Sequence, residues 1–184
     1  MTMATWTAVF LDRDGTINRA PNPANRYVRN ADELELLPGA AGAIRRLNDV
    51  GIWVGVVTNQ RGVSRGHMTR ADLDAIHDRL AAELAGQGAH LDAVYVCTHI
   101  DTACGCRKPE PGMLDRAFAE HRHLERGRSL LVGDQETDMQ CAERAGVTGI
   151  RIVGASRSLV DDALVAGSLA GAVDRIIIDA GVFP

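Results

Sequence analysis

The sequence predicts an α/β fold: a single doubly wound, Rossmann-like parallel sheet with helices on both faces and no large cap domain. Short apolar runs alternate with longer stretches of helical period along the chain. Several of those runs stop abruptly at polar residues, as in Leu11-Asp12, Val57-Thr58-Asn59 and Gly133-Asp134. A length of 184 residues suits one domain with its own core, expected over 1–184.

Trp6 to Leu11 reads as the first strand, continuously apolar as a strand covered on both faces must be. Gly15 to Leu37 shows no sustained period and contains Pro21 and Pro23, so it is expected to be a flap near the site. Arg26, Tyr27 and Arg29 are its candidate contact residues. Pro38-Gly39 opens a helix with Ala40, Ala43, Ile44, Leu47 and Val50 at helical spacing, stopped by Gly51. Ile52 to Val57 is the second strand. Thr69 caps the next helix with Asp72 three residues on, and Leu73, Ile76, His77, Leu80 and Leu84 form its inward stripe. His77 is read there as a packed histidine.

Leu91 to Val96 is the third strand, Pro111 to Glu120 a helix, and Leu130 to Asp134 the fourth strand. Gln135 to Ala145 is a helix in which Cys141 packs as a small hydrophobe. Gly149 to Val153 is the fifth strand, followed by a helix expected over Leu159 to Leu169 and a strand over Arg175 to Asp179. His121 and His123 lie among charged residues and read as solvated.

Composition is ordinary for a globular chain, 46% hydrophobic and 24% charged with a net charge of −4. That slight acidity argues against a nucleic-acid surface, and no apolar run approaches the length of a membrane span. No signal core follows the N-terminus, so cytoplasmic residence is expected, and separately a monomer. Three of the cysteines, Cys97, Cys104 and Cys106, crowd one segment with His99, which reads as metal binding rather than disulfide bridging.

In an open parallel sheet the polar strand ends gather at one edge. Asp12 and Asp14 sit at that edge, where two acids aimed at one point suit a divalent metal with a nucleophile or proton carrier. An Asp-rich turn would use the same residues.

Asp12-Arg13-Asp14-Gly15-Thr16, then Val57-Thr58-Asn59, then Lys108, then Gly133-Asp134 with Asp138 four residues on form an ordered set. In this order the set resembles the haloacid dehalogenase superfamily of aspartyl-phosphate phosphotransferases. The resemblance implies that Asp12 is the nucleophile and Asp14 the acid and base. Negative charge beside Asp14 is expected to bias it toward its acid form. It further implies Mg²⁺ held by Asp12, the Asp14 backbone carbonyl and Asp134, with Thr58 and Lys108 on the phosphoryl oxygens. Asp138 would orient Lys108 or a metal-bound water, or simply be a solvated carboxylate in a helix's first turn.

Three thiolates and an imidazole, Cys97, His99, Cys104 and Cys106, make a closed structural Zn²⁺ shell. Placed directly before Arg107-Lys108-Pro109, in a zinc loop over 97–109, they resemble the heptose-bisphosphate phosphatases and the related histidinol-phosphate phosphatases. Tyr27-Val28 and Asn59-Gln60-Arg61-Gly62-Val63 resemble the heptose-bisphosphate branch. The substrate contacts so implied are Arg26, Tyr27, Asn59, Gln60, Arg61, Arg107 and Gln135, with Arg107 suited to a second phosphate. Gln135 stands where many relatives place a lysine, the flap before Tyr27 is longer than usual, and the loop between His99 and Cys104 is short. The implied activity removes one phosphate from a heptose bisphosphate, with histidinol phosphate as the alternative substrate. A receiver-like module storing phosphate on an aspartate is a rival of another class, disfavoured by Asp14.

Overall fold

Six parallel strands build one sheet in the order β3-β2-β1-β4-β5-β6. The computed structural model describes residues 6–21, 27–101, 103–154 and 164–179. The strands are β1 (Ala8–Leu11), β2 (Trp53–Asn59), β3 (Ala93–Cys97), β4 (Ser129–Gly133), β5 (Thr148–Ile152) and β6 (Val165–Ala166). The helices are α1 (Ala40–Asp49), α2 (Arg70–Ala85), α3 (Gly112–Glu120), α4 (Glu136–Ala145) and α5 (Leu169–Asp179). Single 3₁₀ turns lie at Ala31–Glu33 and Arg126–Arg128.

Alternation along β1 divides the core into two layers. Val9 and Leu11 pack with Ile44, Leu47, Leu73, Ile76, Leu80 and Val173 beneath α1, α2 and α5. Ala8 and Phe10 face the other way, onto Met113, Leu114, Ala117 and Cys141 of α3 and α4. Both faces are thereby covered, which is why β1 contains no polar residue. The chain runs outward from β1 to β3 on one side and from β4 to β6 on the other. The sheet order therefore reverses between β1 and β4, and a crevice opens beyond their carboxyl ends.

Local signals fix where α2 begins. The Thr69 hydroxyl accepts from Asp72 N at 3.1 Å and Asp72 Oδ2 accepts from Thr69 N at 2.7 Å, so the start of α2 is fixed at both orphan donors. Leu73, Ile76, Leu80 and Leu84 are buried along it, as the stripe predicts. The flap is stitched to itself by bridges of Asn18 with Asp14 and with Leu36, and by an Arg19–Glu35 ion pair at 2.9 Å.

The C-terminal elements differ from the sequence reading. Residues 159–163 lie outside the described residues, and Val165–Ala166, expected in a helix, form β6. Arg175 to Asp179, expected as a strand, closes α5. Leu169, Ala172, Val173 and Ile176 are buried at helical spacing in the same layer as Ala43 and Ile44 of α1. That tertiary burial overrides the strand-like look of the Ile176-Ile177-Ile178 run.

Candidate active site

A cleft of about 420 Å³ lies at the reversal point, lined by Asp12, Asp14, Tyr27, Thr58, Gln60, Lys108, Asp134 and Asp138, with Arg61 and Arg107 among its other walls. Asn59 and Gln135 also border it. Sequence-distant strand ends are thus brought to one place. A larger cavity of about 650 Å³ lies on the β5–β6 side; Asp134 is the one member of this constellation among its described lining residues, which are otherwise largely apolar, as Leu37, Pro38, Ile152, Val153 and Leu169 show.

Asp12 follows β1 directly, and its N–H donates to Val132 O at 2.9 Å, which extends the ladder by one bond and fixes where the carboxylate starts. Lys108 Nζ donates to Asp12 Oδ1 at 2.7 Å and to Val57 O at 2.9 Å, and lies 2.6 Å from Asp138 Oδ1. Burial opposes the Lys108 charge, yet Asp12 and Asp138 outweigh it and hold the ammonium above the usual lysine range. Burial pushes the Asp12 carboxyl up to about 7 against the pull of Lys108, with Asp138 adding to the rise. Burial likewise raises Asp134.

Asp138 is fully buried and accepts from Gln135 N at 3.0 Å, so it orients Lys108 and caps α4 rather than facing solvent. The close fit extends to the backbone: a Cβ on Gly133 would collide with the Asp138 carboxylate. Gly15 is doubly constrained, with φ at +87° and space for a Cβ only 2.5 Å from Asp134 Oδ2.

Carboxylate oxygens of Asp12, Asp134 and Asp138 all lie within 4.8 Å of one another. Asp134 Oδ2 accepts from Gln135 Nε2 at 2.6 Å, but its Oδ1 is buried without a hydrogen-bond partner among the described residues. Three carboxylates share one ammonium here, so full ionisation of all three would leave two negative charges uncompensated. An orphaned carboxylate oxygen and that charge balance both fit a divalent cation.

Asp14 faces other partners. Arg13 grips it through Nη2 at 2.9 Å to both oxygens, Asn18 Nδ2 donates at 2.9 Å and Gln60 Nε2 at 2.8 Å. The anionic neighbour expected beside Asp14 is therefore replaced by donors, since Lys108 rather than Asp14 is the group the other acids surround. Gln60 also donates to Thr58 Oγ1 at 2.8 Å, and Asn59 holds the Lys108 backbone by two bonds of 3.0 Å. These two amides, expected on substrate, line the cleft and also position Asp14, Thr58 and Lys108.

The remaining expected contacts divide. Tyr27 is buried, stacked on His67 at 5.0 Å, with no hydrogen-bond partner for its hydroxyl among the described residues. Arg29 is turned to Glu33 at 3.0 Å and does not line the cleft. Arg26 lies outside the described residues. Arg13 and Asn18, both fully buried, were missed. An arginine inside an apolar-to-acid strand end was the available signal, because a buried guanidinium demands acceptors.

Cys97, His99, Cys104 and Cys106 converge beside the cleft. Cys97–Cys104 and Cys104–Cys106 sulfurs lie 3.7 and 3.4 Å apart, and His99 Nδ1 lies 3.5 and 3.2 Å from Cys97 and Cys106. Tetrahedral zinc with bonds of about 2.3 Å to sulfur and about 2.0–2.1 Å to nitrogen requires edges of roughly 3.8 and 3.6 Å, close to this set. Arg107 follows the last of these residues and donates to His99 O at 3.4 Å, so the cluster places it on the cleft wall.

The sheet order and the carboxylate–lysine centre together define the class of haloacid dehalogenase-like hydrolases. Residues 105–162 match the family model described as HAD-hydrolase-like. The chain is 40% identical over 161 residues, 84% of each chain, to the D-glycero-alpha-D-manno-heptose-1,7-bisphosphate 7-phosphatase of Mycobacterium tuberculosis. It is 38% identical over 148 residues to the beta-heptose enzyme of Escherichia coli K12, covering 76% of this chain and 75% of that one. The crystal structure of the D,D-heptose 1,7-bisphosphate phosphatase from B. bronchiseptica, complexed with magnesium and phosphate, superposes with a TM-score of 0.82 at 35% identity, covering 94% of this chain and 99% of that one. The chain belongs to the heptose-bisphosphate phosphatase family of these phosphoric monoester hydrolases.

Proposed function

We propose that this protein removes one phosphate from a heptose 1,7-bisphosphate, leaving the 1-phosphate, by way of a phosphoryl group carried on Asp12. The observation that carries the reading is the Lys108 ammonium bridging Asp12 and Asp138 in a cleft that Arg61 and Arg107 border. The relatives' names supply the sugar; the residues supply the chemistry.

Asp12 attacks phosphorus in line, and the bond to the leaving oxygen breaks as the Asp12–phosphorus bond forms. Asp14 gives that oxygen a proton. In the second half it takes a proton from water, which attacks the phosphorus and frees Asp12. Lys108 and the Thr58 hydroxyl bind the equatorial oxygens, where negative charge is spread in the transition state. Mg²⁺ held by Asp12, Asp134 and the Asp14 carbonyl would supply the further charge neutralisation that phosphoryl transfer needs.

Zn²⁺ on Cys97, His99, Cys104 and Cys106 would fix the loop from which Arg107 and Lys108 emerge. Arg107 grips the second phosphate, as a planar guanidinium does best. Histidinol phosphate carries an amine that Arg61 and Arg107 repel. Phosphate release from both substrates, with Mg²⁺ and after chelation, tests the reading. The heptose bisphosphate is expected to have the higher kcat/KM and to need the metal; the reverse ranking assigns the site to histidinol phosphate.

A further inference from the structure

The guanidinium of Arg13 is fully buried and used along two edges. Nε and Nη2 hold the Asp14 carboxylate, at 3.2 Å and 2.9 Å, while Nη1 lies 3.2 Å from His77 Nε2 on α2. Guanidinium nitrogens only donate, so His77 Nε2 is the acceptor and its proton sits on Nδ1. We propose that His77 is a positioning residue: through Arg13 it holds the Asp14 carboxylate in the orientation from which protons are exchanged with substrate and water. The inference rests on reading Asp14 as the acid and base.

The placement of the ring supports this. Ile76 and Leu80, fully buried on either side of His77 in sequence, pin this stretch of α2 to the core, and the Thr69–Asp72 cap fixes the helix start. The ring is therefore an anchored support at the far end of the chain imidazole–guanidinium–carboxylate. Its charge state is settled by what faces it: Arg70 and Asp74 on its own helix, and Arg13 and Asp14 from the turn after β1. Burial first, then Arg13, pushes its pKa down to about 4, so at neutral pH it stays an acceptor. Without that acceptor the outer edge of a buried cation is unsatisfied, and the inner edge loses its fixed direction.

The test compares His77→Leu, which removes the acceptor, with His77→Gln, whose carbonyl restores one on the same helix face. Each is assayed on heptose 1,7-bisphosphate with Mg²⁺, beside wild type and Asp14→Asn. His77→Leu should lower kcat roughly tenfold to a hundredfold, a share of what positioned acid–base catalysis contributes, with KM within about threefold. Phosphoenzyme trapped by acid quench should rise, because the water step loses its base. His77→Gln should recover most of kcat, and His77→Leu in the Asp14→Asn background should cost nothing more. Should His77→Leu not fold, His77→Phe keeps a ring on the same helix face, loses the acceptor and must give the same kcat loss, and a normal kcat in it overturns the inference equally. A His77→Leu enzyme of normal kcat, whatever its melting temperature, overturns the inference while a dead Asp14→Asn leaves the acid–base reading standing. An Asp14→Asn enzyme of full activity overturns both.

Discussion

Asp14 accepts from Arg13, Asn18 and Gln60, so an amide at this position would turn one acceptor into a donor aimed at other donors. Asp14→Asn is expected to lose a factor of roughly 10²–10⁴ in kcat and to accumulate phosphoenzyme under acid quench. Asp12→Asn keeps the shape but is no nucleophile, and is expected to show neither turnover nor phosphoenzyme; substantial turnover would contradict the covalent route. That Asp12, Asp14, Thr58, Lys108 and Asp134 meet in one cleft was legible because each is a polar residue in an ordered set tied to strand ends. Arg13 was not: its second partner comes from a helix 64 positions away, and no local period marks it. The surroundings of Asp14 were misread for a related reason, since Asn18 and Gln60 reach it by folds of the flap and of the β2 turn that spacing alone does not describe.

At the scale of elements, the zinc loop and α2 each make a checkable claim. Purified protein is expected to carry about one zinc per chain, a closed shell of four ligands being the mark of a structural site. Cys106→Ser should lose that zinc and lower the melting temperature far more than Cys141→Ser, which keeps a donor for Glu110 O. Metal analysis finding no zinc in protein prepared without chelator, with all thiols reactive, would contradict this.

On α2, His77 has a folded pKa near 4 against an ordinary value of 6.5. The unfolded chain therefore binds the extra proton first, and the contribution is complete above about 6.5 and lost as pH falls toward about 4. Melting temperature followed across this window should fall less steeply in His77→Leu than in wild type. The first five strands and the helices between them were legible from period and caps. The last elements were not, because α5 is defined by its packing beneath the sheet with α1, and the isoleucines of its final turns look the same in a strand.

For the whole molecule, alternation of strands and helices predicts a parallel sheet, but nothing in the connection lengths says that β1 lies beside both β2 and β4. That order creates the cleft, and it is set by which apolar faces can be covered together. Among the described residues no helix is long and apolar enough to cross a membrane. Among the described residues no large insert covers the crevice, and substrate selection is expected to fall to the cleft walls. Arg107→Ala is accordingly expected to weaken use of the bisphosphate by roughly 1.5–3 kcal/mol, the scale of a hydrogen bond to a charged group, and a simple monophosphate much less. Equal penalties on both substrates would remove Arg107 from the second phosphate.

The measurement that tests the central claim most directly is the phosphate released per molecule of heptose 1,7-bisphosphate when the reaction with Mg²⁺ runs to completion, with the product identified. One phosphate per sugar is expected, leaving the 1-phosphate, because the proposed site has a single nucleophile, Asp12, and assigns Arg107 to the other phosphate. Release of both phosphates, or of none under conditions in which histidinol phosphate is hydrolysed, would contradict the account.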